Sequence, residues 1–181
     1  RLAQALSQTI CTQKHKVAIA RDTRISGSML FSSLSAGFTS QGIDVIDLGI
    51  IPTPLCTTLT PSLNVDMSIM ITASHNPYQD NGLKLIAANG DKFSDTQSTQ
   101  VEELLAQQLD ITYNPDKIGN ITTLNVGLEH YLKVAEKIAG KNALTGMKIV
   151  LDSANGAFSS ILPEVYRHLG AQIISIADTP N

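Results

Sequence analysis

Between positions 74 and 84 the chain gathers a serine, a histidine, an asparagine and a lysine: Ser74-His75-Asn76, then Lys84. Two chemistries call for such groups. A hydrolase needs a histidine bonded to the serine hydroxyl and a carboxylate orienting that histidine. Neighbours on an extended loop usually point apart, so His75 is poorly placed to deprotonate Ser74, and no Gly-x-Ser-x-Gly elbow occurs. A serine that carries a phosphoryl group fits the residues better. Its added charge of about −1.5 to −2 needs cations and N–H donors, and Arg21, Arg24, His75 and Lys84 are of the right kind. Arginine bonds two phosphate oxygens at once with its planar fork, and a lysine of lowered pKa moves protons to or from a sugar hydroxyl. Phosphoryl transfer itself is mostly positioning and neutralisation of charge.

Each of these residues also has a plain structural reading. A Ser-His-Asn-Pro turn commonly serves as a capped loop. Arg21-Asp22-Thr23-Arg24 reads equally as a solvated turn with locally paired charges, and Asp22 as the cap of the helix that follows. Lys84 could simply blunt a strand edge. Pro52-Thr53-Pro54 is a rigid connector, and Asp152 to Gly156 a strand-to-helix turn. Residue type and spacing leave both readings open.

The elements that must position these groups are clearer. Met67 to Ile71 is an apolar run of strand length that breaks abruptly into small and polar residues. Ser74 therefore falls where a buried strand stops, and open α/β sheets bind ligands at the carboxyl ends of their strands. Asn81-Gly82, both tolerant of positive φ, is expected to reverse the chain. Leu83 to Ala87 then returns as a second apolar strand and lets Lys84 approach Ser74.

Upstream, the pattern predicts a helix over 1–13, a strand Lys16 to Ala20, a helix Ser28 to Gln41 stopped by Gly42, a strand Ile43 to Leu48 and a short helix Pro54 to Thr60. Downstream, Asn89-Gly90 is a hairpin signal, and Ser94-Asp95-Thr96-Gln97 has capping-box form, opening a helix to about Leu109. A loop to about Val126, a helix from Gly127 to about Ala139, a strand Lys148 to Leu151, a helix from about Ala157 to Leu169 and a strand Ala171 to Ile176 complete the chain. Lys16 to Leu48 and Lys148 to Ile176 share one plan: strand, Asp-bearing turn, helix, glycine, strand. The expected fold class is α/β, with a mixed sheet covered by helices in residues 1–143 and the start of a second, similar domain in residues 144–181.

Composition excludes several classes. A net charge of −3 with no Lys/Arg cluster beyond a pair or two argues against a nucleic-acid surface, so no nucleic-acid partner is expected. No apolar stretch approaches the roughly 20 residues that span a bilayer, so no membrane partner is expected. Cys11 and Cys56 have neither metal nor redox spacing and read as free thiols in a reducing compartment, so a cytoplasmic location is expected. The chain opens at Arg1 inside a helical pattern and stops just after a strand-like run, so a piece of a longer protein is expected.

Thr72-Ala73-Ser74-His75-Asn76-Pro77, followed by Asn81-Gly82-Leu83-Lys84, resembles the phosphoserine loop of the α-D-phosphohexomutases. Ala20-Arg21-Asp22-Thr23-Arg24-Ile25-Ser26-Gly27 is similar to that family's first-domain turn, although the family most often has glycine where Ala20 stands. Pro52-Thr53-Pro54 resembles its connector, and Asp152-Ser153-Ala154-Asn155-Gly156-Ala157 the opening of its second domain. The resemblance covers roughly Lys16 to Asn181. Asn76 to Lys84 and Arg24 to Gly27 are most similar to the bacterial branch that interconverts glucosamine 6-phosphate and glucosamine 1-phosphate, on the route to cell-wall amino sugars. The phosphomannomutase/phosphoglucomutase branch, the alternative, usually differs between the proline and the Asn-Gly. A non-catalytic sugar-phosphate-binding fragment is the other alternative.

The resemblance implies that Ser74 is the phosphorylated catalytic residue, with a phosphoryl oxygen that is one ligand of Mg²⁺. It implies that His75 lies against the phosphoryl group and that Lys84 is an acid/base or phosphate contact. Arg21 would help hold the loop region and, with Asn76, serve phosphate or substrate binding. The implied substrate is a hexosamine phosphate. Phosphoserine would give it a phosphoryl group, a hexose 1,6-bisphosphate would form as intermediate and activator, and the turned sugar would return its other phosphoryl group to Ser74. The family's Asp-x-Asp-x-Asp metal cluster, sugar loop and last phosphate loop do not occur in the sequence, so this chain alone is expected to be inactive.

Overall fold

The computed structural model describes residues 1–107, 115–125 and 127–180. Its main sheet has five strands: β1 (Lys16–Arg21), β2 (Asp44–Ile50), β3 (Met67–Ile71), β4 (Leu83–Ala87) and β5 (Ile121–Thr123), in the order β4-β3-β1-β2-β5. All are parallel except β4, which runs antiparallel to β3. β3 is buried at every position, which is why Met-Ser-Ile-Met-Ile reads as a continuous run and not an alternating one. Its one polar residue, Ser68, accepts a hydrogen bond from Thr60 Oγ1 at 2.7 Å.

Helices cover both faces. On one, Val17, Ile19, Val45, Met67, Ile69 and Ile71 meet Leu6 of α1 (Leu2–Thr9), Phe38 of α2 (Gly27–Thr39) and Val101 of α4 (Asp95–Ala106). On the other, Ala18, Ala20, Met70 and Ile86 meet Leu55, Cys56 and Leu59 of α3 (Thr53–Leu59). The same apolar cluster continues through Leu132 and Ala135 of α5 (Gly127–Ala139) to Val165 of α6 (Leu162–His168). Burial drives this arrangement at roughly 25 cal/mol per Å² of apolar surface. The α/β expectation with a mixed, helix-covered sheet is met.

A second sheet holds two parallel strands, β6 (Lys148–Asp152) and β7 (Gln172–Ile176), joined through α6. It repeats the strand-helix-strand plan of β1, α2 and β2.

Several expected boundaries move, for local reasons. α6 starts at Leu162, not near Ala157, because Pro163 has no N–H to give and fits only a first turn. α1 ends at Thr9. The expected loop before Val126 contains β5, three exposed residues too few to show a period. It is anchored where Asn120 N donates to Asp44 Oδ1 at 2.8 Å. The ends expected near Leu109 and Val126 lie outside the described residues. Elsewhere the signals hold: Gly42 ends α2 with φ +76°, Gly90 N bonds Ala87 O at 2.8 Å, and Ser94 and Gln97 form the reciprocal capping box. Among the described residues no helix is long and apolar enough to cross a membrane.

Candidate active site

β1 and β3 lie in register, Arg21 beside Ile71, so their carboxyl ends stop together. Asp22 opens the turn after one, and Thr72 the loop after the other. Asp22 N donates to Ile71 O at 3.0 Å, continuing the ladder by one bond. The Asp22 carboxylate then becomes a hub. Oδ2 accepts from Thr72 Oγ1 at 2.7 Å and from Arg24 Nε at 3.0 Å, while Oδ1 accepts from Arg24 N at 3.0 Å. Thr72 Oγ1 in turn accepts from Ser74 N at 3.0 Å. Ser74 sits at φ 56°, in the left-handed region. That conformation costs a residue with a Cβ about 1–2 kcal/mol, so it persists where neighbouring bonds over-determine it.

Arg24 supplies the other half of that restraint. Its Nη1 donates to Pro77 O at 2.6 Å and Asp80 O at 2.9 Å. Its Nη2 donates to Ser74 O at 2.9 Å and Asn76 O at 3.0 Å. The peptide units on either side of the Ser74 side chain are thus tied, one through Thr72 and one through Arg24, to the same aspartate.

Lys84 lies opposite Met70 on β4, and its Nζ donates to Ser74 Oγ at 2.6 Å. The approach of Lys84 to Ser74 is therefore made, though not by the expected turn. Neither Asn81 nor Gly82 has positive φ. Residues 72–82 form a loop long enough to reverse without a tight two-residue turn. Gly82 serves instead for close approach: Thr72 N donates to Gly82 O at 2.9 Å, and a Cβ on Gly82 would stand 3.1 Å from Thr72 O. Asn81 Oδ1 accepts from Gly82 N at 2.8 Å, and its Nδ2 donates to Ser26 Oγ at 3.0 Å, fastening the loop to the start of α2.

The remaining expected residues are placed as follows. His75 is exposed and makes no hydrogen bond with Ser74, so the pairing a hydrolase needs is not formed. Asn76 Nδ2 donates to Asp80 Oδ2 at 3.2 Å. Arg21 does not hold the loop, contrary to expectation. Strand alternation turns it, like Val17 and Ile19, toward α2; Nη1 donates to Asp47 Oδ1 at 2.8 Å and the guanidinium lies 4.8 Å from the Phe31 ring centroid. Arg24 does the holding. Asp22 and Thr72 are the positions that residue type alone missed as partners of Ser74. Both are the first polar residues after adjoining strands, and that was the available signal.

A Mg²⁺ ion wants about six oxygen ligands in near-octahedral array. Among the described residues no group of three His, Cys, Asp or Glu side chains could hold a metal ion. Ser74 offers one oxygen, so these residues do not by themselves fit a magnesium site. What the arrangement offers is an exposed hydroxyl at the carboxyl end of β3, on a loop tied to Asp22 through Thr72 and Arg24, with an ammonium against it.

Residues 1–111 match the family model described as phosphoglucomutase/phosphomannomutase, alpha/beta/alpha domain I. The phosphoglucosamine mutase of Rhizobium johnstonii is 41% identical over 170 residues, 93% of this chain and 38% of that protein. The phosphoglucosamine mutase of Sphingopyxis alaskensis is 42% identical over 169 residues, again 93% of this chain and 38% of that protein. The chain thus spans less than two fifths of the length of these relatives. A solved phosphoglucomutase/phosphomannomutase family protein from Burkholderia thailandensis superposes with a TM-score of 0.79 at 26% identity, covering 99% of this chain and 40% of that one.

Proposed function

Because this chain belongs to the phosphoglucomutase/phosphomannomutase family, we propose that it forms the phosphoserine-bearing part of a phosphohexomutase that interconverts glucosamine 6-phosphate and glucosamine 1-phosphate. The contact of 2.6 Å between Lys84 Nζ and Ser74 Oγ carries the reading. Relatives more than 40% identical that are named phosphoglucosamine mutase support the choice of sugar. Residues 1–143 would be its first domain and residues 144–181 the start of a second of similar plan. The whole protein performs the reaction, in the cytoplasm, and feeds amino-sugar synthesis for the cell wall.

In the forward half-reaction the bond between phosphorus and Ser74 Oγ breaks and one between phosphorus and a sugar hydroxyl oxygen forms. The hydroxyl loses its proton and Ser74 Oγ gains one, leaving a hexose 1,6-bisphosphate. Reversal with the other phosphoryl group restores phosphoserine. Lys84 serves Ser74 Oγ in both directions, holding the proton that leaves and returns and offsetting part of the charge of about −1.5 to −2 on the phosphorylated residue. His75, exposed beside Ser74, faces the phosphoryl group, and Asn76 serves phosphate or substrate binding. If Mg²⁺ is bound, a phosphoryl oxygen on Ser74 would be one of its ligands and the ion would supply charge neutralisation there, but the described residues would not complete its coordination.

The test is turnover by the whole protein on glucosamine 6-phosphate, against mannose 6-phosphate and glucose 6-phosphate. Preference for glucosamine 6-phosphate, abolished in Ser74→Ala with the thermal transition retained, is the expected outcome. Preference for mannose or glucose phosphate overturns the assignment of the sugar. Full activity in Ser74→Ala overturns the chemistry.

A further inference from the structure

We propose that Arg24 is a positioning residue for the Ser74 hydroxyl, acting on loop carbonyls and not on phosphate. A guanidinium has five N–H donors in a fixed fork. Here Nε is spent on Asp22 Oδ2, the Nη1 pair on Pro77 O and Asp80 O, and the Nη2 pair on Ser74 O and Asn76 O. None is left for a ligand. The side chain is only 9% exposed, so it has no open face toward solvent.

The consequence lies in what those carbonyls belong to. Ser74 holds a left-handed backbone, φ 56°, that its side chain disfavours. Its N–H is held by Thr72 and its C=O by Arg24, and Thr72 and Arg24 are both bonded to Asp22 Oδ2. One ion pair therefore fixes the peptides on both sides of the nucleophile and keeps Oγ turned to Lys84. A lysine could not replace Arg24: its three donors leave a single point and cannot reach four carbonyls spread over residues 74–80. The effect on loop geometry is independent of any reaction. The effect on catalysis rests on the reading of Ser74 as a phosphoryl carrier.

Arg24→Met and Arg24→Lys in the whole protein test this with two readouts. The first is hydrogen exchange of residues 72–82 without ligand, where the amides of Thr72, Ser74, Asn76 and Asp80 are all hydrogen-bonded in the wild type. Loss of charge-assisted bonds should speed their exchange at least about tenfold in Arg24→Met while β1 and β3 stay protected. Arg24→Lys should recover only part of it. The second is the rate of Ser74 phosphorylation by glucose 1,6-bisphosphate. It should fall at least about tenfold at saturation, with the half-saturating concentration changed less than about threefold, because Arg24 gives nothing to the ligand. Unchanged loop exchange in Arg24→Met overturns the proposal, and a raised half-saturating concentration with an unchanged saturated rate marks Arg24 as a phosphate ligand instead. If the wild type accepts no phosphoryl group, the reading of Ser74 fails, and the exchange measurement still decides whether Arg24 holds the loop.

Discussion

Thr72→Val removes one hydroxyl from a residue only 6% exposed and leaves its shape almost unchanged. That hydroxyl donates to the Asp22 carboxylate at 2.7 Å and accepts from Ser74 N at 3.0 Å. A bond to a charged partner contributes about 1.5–3 kcal/mol and a neutral one about 0.5–1.5 kcal/mol. Against their loss, a freed Ser74 relaxes out of the left-handed region and recovers about 1–2 kcal/mol. The net expectation is destabilisation by about 1–3 kcal/mol. For a domain of this size that lowers the midpoint of its thermal transition by roughly 2–4 °C per kcal/mol. Thr72→Ser keeps the hydroxyl and should stay within about 1 kcal/mol of wild type. Thermal unfolding of the whole protein followed by calorimetry, with Ser74 phosphorylation measured on the same samples, checks both effects. A Thr72→Val variant as stable and as readily phosphorylated as wild type would refute the idea that Asp22 holds Ser74 through Thr72.

Two other outcomes are expected away from the loop. Asp66 accepts the N–H groups of Gln13, Lys14 and Lys16, the last at 3.2 Å, and so pins the start of β1; Asp66→Ala should lower the urea midpoint by the equivalent of about 1–3 kcal/mol, and Asp66→Asn by less. Burial pushes the thiols of Cys11 and Cys56 up to about 12 each, so disulfide exchange with an aromatic disulfide reagent at pH 8 should proceed only on unfolding. Since the unfolded thiols ionise near 8.5 and the folded ones do not, the unfolded state sheds protons first. Their contribution is complete below pH 8.5 and is lost as pH rises toward about 12. A Cys11→Ala/Cys56→Ala protein should show a shallower alkaline loss of stability.

How much of this was readable from residues alone depends on the kind of contact. β3 was legible because a strand covered on both faces leaves an unbroken apolar run, and the capping box of α4 because its signal lies within four neighbouring residues, Ser94 to Gln97. The meeting of Ser74 and Lys84 followed from two strands flanking one polar loop. The Arg24 clamp was not legible: its partners are backbone carbonyls some 50–56 positions away, and no side-chain pattern marks a carbonyl. The exchange of roles between Arg21 and Arg24 could have been read from the alternation Val17, Ile19, Arg21, which sends Arg21 beneath α2. β5 is too short to carry a period, and the apolar spacing after Ala157 runs on before Pro163, the residue that sets the start of α6.

The chemistry proposed for the site depends on Ser74 carrying the phosphoryl group. Phosphopeptide mass spectrometry of the whole protein, as purified and after incubation with glucose 1,6-bisphosphate, addresses it directly. Phosphate on Ser74, rising with the bisphosphate and discharged by hexosamine phosphate, is the expected result. A Ser74 that stays unmodified under all these conditions, in protein that turns over substrate, would contradict it.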